Sequence, residues 1–215
     1  MNREKLCTAQ PGDLSRWALV REAQQQLVAD LPAAYLVVGS DMPGPLHSPY
    51  KRTLGRRAAG WAVSKVYKLA DAPPPGGPTF ASVVSGLGTK TVVLAFDRVG
   101  SGGLYAAPAG ACASNSSLCG ERADQPSRLR KAFAVADMAS HEFSWADSVE
   151  TQDAGTNTKL VVRASAPIAA VRYCWADGTS IGLVRNAAGM PMAPFRTDAW
   201  EPRAGKLVDG PGDGG

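Results

Sequence analysis

Two hydrophobic periods divide the chain, one helical up to about residue 70 and one alternating from residue 79 onward. Trp17, Val20, Gln24, Leu27 and Leu31 share one face of a helix predicted over residues 14–31. Asp13 or Ser15 suits its N-cap, and Pro32 stops it. Ser48-Pro49 opens a second predicted helix, Ser as N-cap and Pro at the first helical position. Its expected core face carries Leu54, Ala58, Trp61, Ala62, Val66 and Leu69. Lys51, Arg52, Arg56, Arg57, Lys65 and Lys68 fall largely elsewhere and read as a solvated face. Between the helices, Tyr35–Ser40 is almost wholly apolar, as a strand buried on both faces is. Arg21-Glu22-Ala23-Gln24, in mid-helix, reads either as a solvated ion-paired face or as a buried network.

The Pro- and Gly-rich run 71–78 ends this part, since it continues neither a helix nor a central strand. Beyond it, Thr91–Phe96, Leu160–Ala164 and Ala170–Trp175 read as strands, with weaker candidates at 80–84, 104–105, 133–135 and 142–145. Short strands separated by turn residues predict an all-β sandwich. Residues 100–132 read as a surface insertion and the tail from Pro202 as disordered. The expected division is an α/β portion at 1–70, a linker at 71–78, a sandwich at 79–201 and a tail at 202–215. A single buried-type strand has no sheet to join. The expectation is that the first portion ends an α/β domain whose other strands lie on a missing segment or another chain.

Composition narrows the function. The 215 residues are 45% hydrophobic and 20% charged, with a formal net charge of +4. The arginines are scattered rather than gathered in a stripe with aromatics, which disfavours nucleic acid as a partner. No apolar run approaches the roughly 20 residues needed to span a bilayer, so no membrane partner is expected, and no signal peptide is visible. Cys112 and Cys119 lie close enough in sequence for a small disulfide loop or for two free thiols. Cys7 and Cys174 complete the four cysteines, and no paired zinc-ligand spacing occurs; no metal or cofactor is expected. Asn115 begins an N-x-S sequon, meaningful only on export.

Only two histidines are present. His141 reads as a surface residue near a strand. His47 follows the apolar run and Asp41, on a loop beside a predicted helix N-terminus, where chemistry sits in α/β enzymes. It is the main candidate for proton transfer; a solvated loop histidine is the bland reading. Trp145, Tyr173, Trp175 and Phe195 read as core aromatics, and Cys174 as a buried thiol. Arg172 and Arg196 are expected to pair with Asp177 or Asp198.

Several stretches together resemble the carboxyl-terminal half of sialate O-acetylesterases, within the GDSL/SGNH carbohydrate esterases. They are Trp17 with Arg21-Glu22-Ala23-Gln24, the run ending in Asp41, His47-x-Pro49-x-Lys51 with Gly55-x-Arg57, residues 171–176, and residues 186–198. The resemblance covers roughly residues 13–200. It implies a flavodoxin-like α/β hydrolase portion followed by β-sandwich material, and hydrolysis of O-acetyl esters on sialic acid or related sugars. It implies His47 as the base that activates a serine. Family members are commonly lysosomal, secreted or periplasmic, and localisation stays open here.

The chain departs from the family in two places. No Gly-Asp-Ser-Leu or Gly-x-Ser-x-Gly block is present, so the nucleophile is expected from a preceding segment or a second chain, and the chain alone is expected to be inactive. The acid that the family places three residues before its histidine is replaced by Gly44. Asp41 is then the nearest acid, either as the partner of His47 or as a cap of its own loop. The alternative function is a noncatalytic β-sandwich that binds carbohydrate or a partner.

Overall fold

The structure, a computed structural model, describes residues 11, 15–42, 51–69, 75–107, 129–152, 158–176 and 183–201. Among them lie two α-helices, α1 (Arg16–Asp30) and α2 (Lys51–Trp61), the second running on into a π-helical turn at Ala62–Val66. Ten strands follow: β1 (Thr79–Ser85), β2 (Thr91–Asp97), β3 (Leu104–Ala107), β4 (Phe133–Asp137), β5 (Phe143–Trp145), β6 (Ser148–Thr151), β7 (Lys159–Arg163), β8 (Ile168–Tyr173), β9 (Leu183–Asn186) and β10 (Phe195–Arg196).

The strands form a four-stranded sheet β1-β2-β7-β6, a four-stranded sheet β10-β8-β4-β5 and the pair β3-β9, all antiparallel. Alternation sets what each strand buries. Val92, Leu94 and Phe96 of β2 and Leu160 and Val162 of β7 turn inward. They meet Phe133 and Val135 of β4 and Val171 and Tyr173 of β8 in one continuous core. Phe195 closes that core, stacked on Phe80 at 4.7 Å and set edge-on to Phe96 at 5.6 Å.

The predicted sandwich is present, with strands at every position read from alternation. The short strands β6, β9 and β10 add to it. Tyr173 and Phe195 are core residues as expected, while Trp145 and Trp175 are only half-buried. Cys174 is buried and in no disulfide; Cys7, Cys112 and Cys119 lie outside the described residues. His141 is exposed in the β4–β5 hairpin and stacks on Trp200 at 4.4 Å. Arg172 pairs with Asp198 through two bonds of 2.8 and 2.7 Å. No described helix is long and apolar enough to cross a membrane.

The helical part differs from expectation in three respects. Ser15 does cap α1, accepting from the Ala18 N–H at 3.0 Å, and the helix ends just before Pro32. Yet its apolar face is exposed, and Ala18 is its one buried residue. On α2 and its extension, Trp61 is buried and Leu54 half-buried, while Ala58, Val66 and Leu69 are exposed. Periodicity tells which residues share a face, not whether a neighbour covers it. Among the described residues, the apolar run 35–40 pairs with no strand. Its alternate carbonyls are taken by side chains of α2 instead: Leu36 accepts from Trp61 Nε1 at 2.8 Å and Val38 from Arg57 Nη1 at 2.6 Å. Trp61 also stacks on Tyr35 at 4.8 Å.

Tyr173 gives a test of the core. Its buried hydroxyl accepts the Val184 N–H at 3.1 Å and so ties β9 to β8. Burial holds the phenol un-ionised well above its ordinary 10.0. The unfolded phenol gives up its proton first, so stability present below about pH 10 falls as pH rises further, by up to about 1.4 kcal/mol per unit. Tyr173→Phe removes that part of the slope and leaves a buried N–H unpaired, costing about 1–3 kcal/mol at neutral pH. Urea denaturation of both proteins across this range measures the two effects.

Candidate functional site

Asp41 ends the apolar run, and its side chain is 3% exposed. Arg57, two turns into α2, grips it with both terminal nitrogens, Nη1 to Oδ1 and Nη2 to Oδ2, each at 2.6 Å. Arg185 of β9 reaches the same Oδ2 through Nη2 at 2.8 Å and gives Nη1 to the Gly189 carbonyl at 2.7 Å. Both arginines are themselves largely buried, at 11% and 7% side-chain exposure. One carboxylate therefore joins three elements far apart in sequence. Its two oxygens accept three charge-assisted bonds of a possible four or so.

A second set of charges lies along α1. Glu22 accepts from Arg196 Nε at 2.7 Å and Nη2 at 2.9 Å. That pairing holds the Arg196 guanidinium protonated beyond its already high ordinary range. Arg21 donates to the Ala176 carbonyl at 2.8 Å, and Gln25 to the Pro194 carbonyl at 2.8 Å. The mid-helix polar stretch lies between the two readings open in sequence: Arg21 and Glu22 are half-buried and bonded to the sandwich, while Ala23 and Gln24 are exposed. Its partners Ala176, Pro194 and Arg196 fall in residues 171–176 and 186–198, two of the runs that carry the resemblance.

His47 and the loop around it lie outside the described residues, as does Asp177. What the structure places is the frame on either side: Asp41 before that loop, α2 after it, and Arg57 linking the two. Asp41, the expected partner of His47, is engaged by two guanidinium groups. Arg57, read in sequence as part of a solvated face, is instead largely buried against Asp41. Arg185 was not visible in sequence, because an arginine on a four-residue strand carries no signal of its own. Among the described residues, no cluster of three or more His, Cys, Asp or Glu is placed to hold a metal ion. A groove of about 290 Å³ runs beside the frame, lined by Trp17, Val20 and Gln24 of α1, residues 36–40 and Pro194.

No family model matches the chain, and no curated protein matches it. Among solved structures it is similar to a carbohydrate acetylesterase from Xanthomonas citri, at 28% identity with a TM-score of 0.69. The match covers 91% of this chain and 39% of that one. The N-terminal part of the bacterial S-layer protein SbsC aligns at 12% identity over 83% of this chain and 31% of its own, but its TM-score of 0.32 carries no argument. The chain is thus kin to a carbohydrate esterase, of which it spans well under half the length.

Removing the shared carboxylate leaves two buried cations unpaired. Asp41→Ala is expected to cost about 3–5 kcal/mol. Arg163→Ala, which breaks an exposed pair with Glu150, is expected to cost under about 1 kcal/mol. Urea denaturation of the two variants gives the comparison. Hydrogen exchange should show the Asp41→Ala loss concentrated at 35–42 and α2, with β2 and β7 unchanged.

Proposed function

We propose that this chain is part of a carbohydrate esterase that removes O-acetyl groups from sialic acid or a related sugar. Residues 1–70 are read as the closing portion of an SGNH hydrolase domain, 71–78 as its connection and 79–201 as an attached β-sandwich. The similarity to the Xanthomonas citri acetylesterase, over 91% of this chain, is the observation that carries the reading.

In this reading His47 is the general base. It takes the hydroxyl proton of a serine supplied by another stretch of polypeptide as the oxygen attacks the acetyl carbonyl. The tetrahedral intermediate expels the sugar oxygen, which receives that proton. Water, activated by the same imidazole, then releases acetate and restores the serine. Asp41 contributes as a positioning residue: bound to Arg57 and Arg185, it fixes the chain just ahead of the histidine loop. The β-sandwich takes part through Arg185.

A single imidazole without a nucleophile or oxyanion donors supplies little catalysis. The chain alone is expected to show no turnover of p-nitrophenyl acetate. Produced together with the part of the Xanthomonas citri chain that has no counterpart here, it is expected to release acetate, and His47→Ala to lower that rate at least about 100-fold. Turnover by the chain alone that is lost in His47→Ala overturns the need for an outside serine. Activity of the pair that is indifferent to His47→Ala overturns the catalytic role.

A further inference from the structure

Helix α2 carries more positive charge than its packing uses. Arg57 faces inward and binds Asp41. Lys51, Arg52, Arg56, Lys65 and Lys68 are exposed, and among the described residues none of them makes an ion pair or a hydrogen bond. No carboxylate occurs in the chain between Asp41 and Asp71, so nothing on this stretch offsets them. At 3.6 residues per turn, Lys51, Arg52 and Arg56 share with Gly55 and Ala59 an arc of about 140°. The arc lies opposite Leu54, Arg57 and Trp61, the residues that α2 turns inward.

Two features of this arc work against the helix that bears it. Lys51 and Arg52 stand in the first turn of α2, which holds no acid, although the helix dipole favours carboxylates there. Arg52 and Arg56 are one turn apart and repel each other. Neighbouring polypeptide does not relieve this by burying the arc, because unpaired cations are costly to take out of water. An anion arriving from solution relieves both at once. Between the cations stand only Gly55 and Ala59 on this arc; the large exposed apolar side chains, Val66, Tyr67 and Leu69, come after Lys65. A face of cations and small residues has nothing to insert into lipid, and it suits a hydrated anionic chain.

We propose that Lys51, Arg52 and Arg56 bind the carboxylates of an acidic sugar chain, so that the acetylated sugar arrives as part of a polymer rather than alone. This rests on the esterase reading for the kind of anion, sialic acid being a carboxylated sugar. It rests on α2 alone for the surface that binds. Lys51 stands four residues after His47 in the chain, so the same stretch carries the base and the cations. From Lys51 to Lys65 the exposed cations extend about 21 Å at 1.5 Å per residue, room for several sugars in a row. Exposed charge pairs are weak singly and screened by salt. Several carboxylates on one chain, engaged together, give the affinity that one sugar lacks.

Calorimetric titration of the chain with polysialic acid at low ionic strength tests this. Binding is expected, weakening at least about tenfold as salt is raised from about 0.01 to about 1 M. Polysialic acid whose carboxylates have been reduced to alcohols should not bind. Arg52→Gln with Arg56→Gln should weaken binding at least about tenfold and leave the urea midpoint unchanged or higher, since neither side chain is paired and their repulsion is lost. Lys90→Gln with Lys131→Gln removes the same charge from exposed positions on the sandwich and should change binding less than about twofold. Ala59→Lys adds a cation to the arc and should tighten it. The proposal is overturned by absent binding, by equal binding of the reduced polymer, by equal losses in the two double variants, or by tighter binding to phosphatidylglycerol vesicles than to the polymer. Binding with the expected pattern, in a chain that releases no acetate when joined by the unmatched part of the Xanthomonas citri chain, keeps the α2 surface and removes the esterase reading. Acetate release without polymer binding does the reverse.

Discussion

Paired charges at the seam between helices and sandwich hold this molecule in one arrangement. Asp41 with Arg57 and Arg185, and Glu22 with Arg196, put opposite charges where water is largely excluded. Such pairs contribute little net stability against an apolar seam of the same size, but each is costly to break. A greasy contact tolerates sliding, whereas a two-pronged guanidinium–carboxylate bond does not. The seam thereby selects one register of α1 and α2 on the sheets.

The same seam changes what the β-sandwich is. Read alone, it is a self-sufficient core of Val92, Leu94, Phe133, Leu160, Tyr173 and Phe195. Yet Arg185 leaves it to hold Asp41, Pro194 offers a carbonyl to Gln25, and Arg98 lies over the Trp61 ring at 5.5 Å. The sandwich is a wall against which the helical portion is set, and through Arg185 it reaches Asp41 at the end of the apolar run.

How much of this was legible in sequence depended on whether a residue's role is local. Strands β2, β7 and β8 were, because alternation records burial on one face of a sheet. β9 and β10 were not: each is short and has a charged residue, Arg185 or Arg196, where a sheet pattern calls for an apolar or neutral one. The stripe on α1 was legible as a stripe, while its exposure depends on distant chain. Tyr35–Ser40 read as a strand because its composition is that of one, and composition says nothing about whether a neighbour arrives. For the site, Asp41 could be read at the end of the apolar run, while His47 lies outside the described residues. The engagement of Asp41 by two arginines could not, since 144 positions separate it from Arg185.

Gly77 lies flush against the Pro191 carbonyl, where any side chain would collide, and the next residue's carbonyl is bonded to the Ala193 N–H at 2.9 Å. The connecting peptide is therefore pressed into the sandwich just before β1 begins and gives no slack there. Modular enzymes exchange their accessory domains by recombining at loose tethers. A crossover at this joint would separate Asp41 from Arg185 and Glu22 from Arg196, so it is tolerated only between parents that keep both pairs.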